Sequence, residues 1–186
     1  MGLPLAILPR EIEIDIITTA RLNIRRFKET DLGEFLAYQS RPEVRQFMPG
    51  QAMNEDQAER FLLSQSSMQD CDRDAYHAFA VTLRDCLKLI GDVGMYLPSG
   101  EKRVGDLGFQ FHPGFLGQGY ALEAAEALVK HAFSEWMLEK VTANCDAENT
   151  RSYRLMERLG MSRVEQAEMA GSYTYQLLRT SFISQA

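Results

Sequence analysis

The stretch Val104–Ala124 reads Val-Gly-Asp-Leu-Gly-Phe-Gln-Phe-His-Pro-Gly-Phe-Leu-Gly-Gln-Gly-Tyr-Ala-Leu-Glu-Ala and decides the fold. Its beginning, Val104–Phe111, predicts a strand that ends at His-Pro-Gly, and an alanine-rich helix follows over Gln118–Trp136. Between strand and helix, Gly117 and Gly119 have no side chain that obstructs a ligand, and both tolerate positive φ. Because the first amides of a helix lack internal partners and lie at the positive end of its dipole, this turn predicts a site for pyrophosphate oxygens.

Glycine-rich turns between a strand and a helix also occur in different classes of protein. A βα turn that needs glycine for geometry alone stays open. A dinucleotide fingerprint, G-x-G-x-x-G/A, fails because its third small residue would fall on Leu122. A Walker loop fails because no Gly-Lys-Ser/Thr is present. A nucleotide-binding oxidoreductase is therefore disfavoured.

Length, composition and charge narrow the class of protein. The chain has 186 residues, 45% of them hydrophobic and 25% charged, with a net charge of −6. We expect a single domain over 1–186, with 1–18 as an extended N-terminal arm or first strand. The acidic balance speaks against nucleic-acid binding, so a phosphate site must be built locally from backbone amides and a helix end. No apolar run approaches the roughly 20 residues of a membrane span, and no signal peptide is recognisable.

The cysteines indicate a reduced protein without a metal centre. Cys71, Cys86 and Cys145 lie far apart and form no C-x-x-C pair. This spacing argues against a disulfide framework and a zinc site, and it suits the cytoplasm. We interpret Cys145 as a buried packing residue.

The remaining apolar periodicity predicts about seven strands and four helices in a mixed α/β sheet. Thr30 and Asn54 are the expected N-caps of the first two helices. A later helix spans Asn149–Leu159 and stops at Gly160. The closing strands are expected at Met161–Glu168 and Ser172–Leu178.

The glycine loop resembles a known motif. Leu116-Gly-Gln-Gly-Tyr-Ala121 is similar to motif A of the GNAT acetyltransferases, usually Q/R-x-x-G-x-G/A. It is most like the branch that contains the ribosomal-protein N-terminal acetyltransferases, RimJ and RimL, where aromatic-Gly-Lys-Gly-Tyr-Ala is common. Here Leu116 and Gln118 depart from the usual residues. Since backbone amides carry the phosphate contacts in this motif, the departures leave binding possible, and the lost lysine weakens it.

Other segments extend the resemblance across most of the chain, in the family's order. They are the motif B-like Asn149–Met161, the opening strand Thr19–Arg25 and the strand Ile90–Gly94. The resemblance implies the GNAT fold, in the α/β (α+β) class. That fold is one mixed, mostly antiparallel twisted sheet of about six to seven strands with about four helices. Its fourth and fifth strands form a parallel pair that splays apart.

The resemblance also implies acetyl-CoA as co-substrate and no metal. Phe109–Phe111 would offer backbone groups to pantetheine and the thioester carbonyl. Asn149 would hydrogen-bond the pantetheine arm, and Ser152 would lie near the sulfur. The implied binding residues are Phe109, Gln110, Phe111, Leu116, Gly117, Gln118, Gly119, Tyr120, Ala121, Asn149 and Ser152.

Two catalytic candidates follow, each with a structural alternative. Ser152 is the candidate proton donor or hydrogen-bond partner of the leaving thiolate, because Met156 occupies the position where many GNAT enzymes carry a tyrosine. Alternatively, its hydroxyl bonds back to a helical carbonyl. Asp106 is the candidate base, since related enzymes often carry a glutamate there. Its alternative role is that of a solvated acid at a strand edge.

The implied reaction is direct attack of a primary amine on the thioester of acetyl-CoA. The acceptor is a protein N-terminus or a small molecule, such as a polyamine, an amino acid or an amino-bearing antibiotic. A protein α-amine, of pKa ~7.7–8.0, is partly neutral near pH 7, whereas lysine at ~10.4 is not. Weak evidence for a base therefore favours the α-amine. The alternative class is a non-catalytic acyl-CoA-binding module, and analogy suggests a monomer or homodimer.

Overall fold

A computed structural model describes residues 17–48, 50–70, 72–165 and 171–183. Within these residues the strands form one sheet in the order β1-β2-β3-β4-β5-β6-β8-β7. Of the expected N-terminal arm, only Ile17–Thr18 lies within the described residues, and it pairs with β2. The strands are β1 (Ile17–Thr18), β2 (Leu22–Arg26), β3 (Ala75–Leu83), β4 (Leu89–Leu97), β5 (Val104–Phe111), β6 (Lys140–Asp146), β7 (Ser162–Arg163) and β8 (Ser172–Leu178).

One pair of strands in this sheet differs from the others. β5 and β6 run parallel, whereas the other neighbouring strands pair antiparallel. Their register begins at Val104 opposite Lys140 and ends at Asp106 opposite Thr142. Both strands continue past that point, so they separate there. The expected splay between the fourth and fifth long strands is confirmed.

The helices pack on both faces of the sheet. The sequence predicts four of them, and the short α2 and α6 lie below the length at which apolar periodicity is recognisable. The helices are α1 (Leu32–Gln39), α2 (Pro42–Arg45), α3 (Glu55–Ser66), α4 (Tyr120–Ser134), α5 (Thr150–Arg158) and α6 (Arg179–Ile183).

The two predicted N-caps have different outcomes. Asn54 caps α3 as expected: its side chain accepts a 2.9 Å bond from the amide of Gln57, whose side chain accepts a 3.0 Å bond from the Asn54 amide. Thr30 is wrong as the cap of α1, because it lies inside a 3-10 turn that precedes the helix. Asp31 closes that turn by accepting a 2.8 Å bond from the amide of Lys28.

Glycine backbone angles define the ends of two helices. α4 begins at Tyr120, two positions later than expected, because Gly119 has φ +83° and is left-handed. Gly160, with φ +85°, ends the motif B helix as predicted. The closing strand expected from Met161 narrows to β7, and residues 166–168 of that prediction lie outside the described residues.

Two apolar clusters hold the layers together. One lies between the sheet and the helices α4 and α5, and α4 contributes Ala124, Ala125, Leu128, Val129, Ala132 and Phe133 to it. The other lies on the opposite face and joins α1 and α3 to β3 and β4 through Phe35, Tyr38, Ala58, Leu62, Ala78 and Ala80. The β5–β6 opening therefore lies in a sheet that is packed on both faces. In the described part of the chain, every helix is too short or too polar to cross a bilayer.

Candidate active site

The glycine loop has the geometry of an anion site. Gly117 and Gly119 have φ +75° and +83°, in the left-handed region that favours glycine. The amide of Glu123 donates to the Gly119 carbonyl at 3.1 Å, which starts the hydrogen-bond ladder of α4. The amides ahead of it in the first turn have no helical carbonyl to bond. Together with the helix dipole, they can bind phosphate oxygens in an otherwise acidic protein.

Glu123 has a structural role in this turn. Its Oε1 accepts bonds from the Thr19 hydroxyl at 2.6 Å and the Arg21 amide at 3.0 Å. Partial burial acts to raise the pKa of the carboxyl, but these bonds and the Arg21 side chain together outweigh it and lower the pKa. The start of β2 is thereby tied to the first turn of α4.

A cavity of about 790 Å³ fills the opening between β5 and β6. The predicted site residues that line it are Phe109, Gln110, Phe111, Leu116, Ala121, Asn149 and Ser152, with Asp106 where the two strands separate. Gly117, Gln118, Gly119 and Tyr120 do not line it, because they continue the loop outside the opening. The side of the cavity next to α1, α2 and α3, which sequence patterns leave unpredicted, is lined by Gln39, Val44, Arg45, Phe47, Met48, Met53, Phe61, Tyr76 and Asp92.

The splay exposes backbone groups of β5 to this cavity. Strand residues direct their N–H and C=O groups alternately to the two sides. Beyond Asp106, β5 remains paired with β4 as far as Phe111, whereas its pairing with β6 has ended. Backbone groups that point toward β6 can therefore bond an extended polar arm, as the resemblance implies for Phe109–Phe111.

Asn149 and Ser152 lie together at the start of α5. The side-chain oxygen of Asn149 accepts a 3.2 Å bond from the amide of Ser152 and caps the helix. Ser152 is thus in the first turn, where its hydroxyl is close enough to the Cys145 thiol on β6 to oppose the rise of that thiol's pKa on burial. Burial raises the pKa of that thiol and Cys145 is 9% exposed, which agrees with its predicted packing role.

The remaining motif B side chains differ in whether they line the cavity. Met156, in place of the family's tyrosine, is 1% exposed and lines the cavity. Tyr153 packs edge-on against Tyr173, with the ring centroids 5.9 Å apart. Arg154 and Arg158 are exposed on the outer face of the helix.

Asp106 is more enclosed than a solvated strand-edge acid. Its Oδ1 accepts a 2.6 Å bond from the Thr142 hydroxyl and a 3.0 Å bond from the Asn144 amide group. Burial raises its pKa, and these two hydrogen bonds oppose the rise. Because both partners belong to β6, the carboxylate joins the two strands where they separate.

A second carboxylate, Asp92 on β4, lines the same cavity and is 2% exposed. Its Oδ2 accepts a 2.7 Å bond from the Tyr38 hydroxyl and a 3.4 Å bond from the side-chain amide of Gln39. That amide also donates to the Gln110 side chain at 3.0 Å. Burial raises the pKa of Asp92 to about 7, although the bonds from Tyr38 and Gln39 and the charge of Arg45 oppose the rise.

Sequence patterns miss Asp92 as a site residue, although it lies in the Ile90–Gly94 strand that carries part of the family resemblance. A signal is present: it is the one acid in the run Leu89–Leu97, which is otherwise apolar apart from glycine and Tyr96. An acid in a strand that is buried on both faces is costly unless it is paired or functional.

The histidines and cysteines form no metal site in the described ranges, where no group of three or more His, Cys, Asp or Glu side chains could hold an ion. His77 Nε2 bonds the Asp72 carbonyl at 2.9 Å. His131 packs edge-on against Trp136 at 5.4 Å, and His112 Nδ1 accepts a 3.0 Å bond from the amide of Gly114. These side chains therefore support the fold and the loop.

Comparison with known proteins agrees with this geometry. Residues 21–162 match the family described as the acetyltransferase (GNAT) domain, and the chain belongs to this family. The chain is 35% identical to the uncharacterized N-acetyltransferase YnaD of Bacillus subtilis over 147 residues, which are 79% of this chain and 82% of YnaD.

Solved structures share the architecture. A GNAT-family acetyltransferase from Bacillus anthracis is 29% identical with a TM-score of 0.76, covering 88% of this chain and 98% of that one. RimL, a ribosomal L7/L12 α-N-protein acetyltransferase solved with coenzyme A, is similar with a TM-score of 0.73, covering 88% of this chain and 98% of its own. At 14% identity, RimL shows the fold alone. The chain is an acetyltransferase, and enzymes of this family use acetyl-CoA.

Proposed function

We propose that this enzyme transfers the acetyl group of acetyl-CoA to a primary amine by direct attack, and that a peptide α-amine is its best acceptor. The observation that carries this proposal is the end of β5–β6 pairing at Asp106 and Thr142. Beyond it, one cavity runs from the glycine-loop side to buried carboxylates. A donor can thus enter from one end and an amine from the other.

The donor end fits acetyl-CoA. The first-turn amides of α4 would bind the pyrophosphate, the freed edge of β5 would bond the pantetheine arm, and Asn149 would donate to it from Nδ2. Acetyl-CoA supplies an activated acetyl thioester. A β5 amide would polarise the thioester carbonyl, and the Ser152 hydroxyl would stabilise the leaving thiolate.

The acceptor end carries negative charge, which suits an amine that arrives as a cation. Asp92, Asp106 and the exposed Glu43 line the cavity, where carboxyl groups outnumber the guanidinium groups, which include that of Arg45. A peptide α-ammonium, of pKa ~7.7–8.0, loses its proton near pH 7 far more readily than a lysine ammonium of ~10.4. The enzyme therefore needs less help from a base when the acceptor is an α-amine.

The test is release of free CoA thiol in the presence of different amines. The panel contains a lysine-free peptide with a free N-terminus, the N-terminally blocked peptide with one lysine, spermidine and free glycine. We expect the unblocked peptide to have the highest kcat/KM. A higher value for the lysine peptide or spermidine would contradict the α-amine preference but leave amine acetylation intact.

A second candidate function, acyl-CoA binding without turnover, is favoured by one observation. Met156 fills the position of the family's tyrosine and is buried. Tight acetyl-CoA binding by calorimetry, without thiol release above background for any amine in the panel, would support binding without turnover and contradict the proposed amine acetylation.

A further inference from the structure

Three polar side chains share one face of the sheet at the acceptor end of the cavity. In the β4–β5 register, Asp92 lies opposite Gln110, Gly94 opposite Gly108 and Tyr96 opposite Asp106. Alternate residues of a strand lie on the same face, so Asp92 and Asp106 flank the two glycines. Tyr76, from β3, reaches across those glycines.

The position of the Tyr76 ring depends on the absence of side chains beneath it. A Cβ added at Gly94 would lie 2.6 Å from the Tyr76 hydroxyl, and a Cβ at Gly108 would lie at the same distance. The Tyr76 hydroxyl therefore lies over β5 at Gly108, beyond the point where β5 and β6 separate. Burial raises the pKa of Tyr76 well above its usual value, and the charges of Asp92 and Asp106 raise it further. The phenol thus stays neutral and can both donate and accept a hydrogen bond.

The two carboxylates differ in their attachments. Asp106 is bonded by two β6 side chains and braces the vertex of the splay. Asp92 is instead held by α1, because its Oδ2 accepts hydrogen bonds from the side chains of Tyr38 and Gln39. Those bonds orient the Asp92 carboxylate within the cavity wall without linking it to β6.

We propose that Asp92, Tyr76 and Asp106 form the subsite for the acceptor amine, in which Asp92 takes the proton of the incoming ammonium and Tyr76 positions the nitrogen. This inference rests on the proposed amine acetylation. The ligand class is a primary amine that arrives protonated. The charged and titratable groups that face Asp92 are Tyr38 from α1, Arg45 from α2 and Tyr76 from β3, with Asp106 beyond Tyr76 on β5.

The proton balance of the step is complete. The ammonium gives one proton to the Asp92 carboxylate. The neutral nitrogen then forms the C–N bond to the acetyl carbon while the C–S bond breaks. The second nitrogen proton goes to the leaving thiolate. The products are the acetylated amine, CoA thiol and one proton, which Asp92 releases to solvent.

The first test compares Asp92→Asn with Asp85→Asn, a matched change at an exposed turn acid. We expect Asp92→Asn to lower kcat/KM for the acceptor at least about 100-fold, the usual minimum effect of a general base. Its acetyl-CoA Kd should stay within about twofold of wild type, because the donor end is untouched. An acceptor kcat/KM within about threefold of the Asp85→Asn value would overturn the inference.

The second test isolates the Tyr76 hydroxyl. Tyr76→Phe removes it, and Gly108→Ala displaces it with a methyl group. We expect each variant to lower acceptor kcat/KM about tenfold, and the double variant to be no worse than either, because both remove one interaction. Independent effects that multiply in the double variant would overturn the role of Tyr76. This cycle also tests the subsite if Asp92→Asn fails to fold.

The outcome for wild type separates the two proposals. If wild type binds acetyl-CoA but releases no thiol with any amine, the proposed function fails and the subsite fails with it. If wild type is active and the Asp92→Asn and Tyr76→Phe variants match it, only the subsite is wrong.

Discussion

Arg21 holds the glycine loop through Gln118: its Nη1 donates a 3.0 Å hydrogen bond to the Gln118 carbonyl. The same guanidinium donates from Nε to Glu123 at 2.7 Å and lies 4.4 Å from the centre of the Tyr120 ring. One side chain from the start of β2 thus braces the loop, the first helical residue and the first turn of α4. The carbonyl of Gln118 is turned toward Arg21, which leaves the amides of the turn to the ligand.

The first prediction concerns this brace. Arg21→Ala should weaken acetyl-CoA binding about tenfold, because the loop loses its hydrogen-bonded support. Since the side chain is 46% exposed, we expect only about 1 kcal/mol of lost unfolding free energy. Calorimetry gives the Kd and denaturant unfolding gives the stability. Lys130→Ala, an exposed change on the same helix, is the control; equal acetyl-CoA affinities for the two variants would contradict the role of Arg21.

The second prediction concerns Gly119. Its φ is +83°, and a Cβ there would lie 3.3 Å from the Arg21 guanidinium. Gly119→Val should abolish measurable acetyl-CoA binding, because a β-branched residue is strained in this region and displaces Arg21. Gly100→Val is the control, since a Cβ at Gly100 meets open space. Wild-type affinity in Gly119→Val would disprove the pyrophosphate assignment.

The third prediction concerns Ser152. Ser152→Ala should lower kcat more than it lowers acetyl-CoA affinity, because the hydroxyl acts on the leaving thiolate rather than on the bound donor. The backbone amide of residue 152 still donates its hydrogen bond to the Asn149 side chain, so the start of α5 should be unchanged. Steady-state kinetics with the best amine of the panel measure the effect. An unchanged kcat would remove Ser152 from the mechanism and leave it as a neighbour of Cys145.

The fourth prediction links Asp92 to stability. Its pKa is about 7 in the folded chain, against about 3.9 unfolded. A carboxyl whose pKa rises on folding stabilises the folded state while it is protonated, and that contribution is lost as the pH rises through about 7. Asp92→Asn removes this loss and keeps an oxygen that can accept the Tyr38 bond.

We therefore expect the unfolding free energy of Asp92→Asn, measured relative to that of wild type, to increase by about 2–3 kcal/mol as the pH rises from 5 to 8. Denaturant unfolding of both proteins at pH 5, 6.5 and 8 measures this difference, and the other titrating groups cancel in the comparison. A stability difference that stays constant with pH would show that Asp92 is ionised throughout this range.

Local sequence was sufficient for features whose cause lies within a few residues. The strand before the loop, the left-handed glycines and the capped start of α5 all follow from adjacent side chains and backbone preferences. Ser172–Leu178 was likewise predicted with the bounds that the structure has. The prediction that Thr30 caps α1 is wrong for a related reason. Asp31 competes for the same backbone groups, and its carboxylate is also held by both terminal nitrogens of Arg25 at 2.8 Å.

The sequence by itself predicted the proposed acetyl-CoA site, because a glycine loop that leads into a helix is built from consecutive residues and carries its own signature. Only the tertiary structure brought together the residues that we propose for the acceptor, of which the sequence had singled out Asp106 alone. Three different strands carry Asp92, Tyr76 and Asp106. The strand register and the absence of side chains at Gly94 and Gly108 bring them to one face. Arg21 reaches Gln118 across 97 residues of sequence for the same reason. Such contacts depend on how distant strands pair, and no local pattern encodes them.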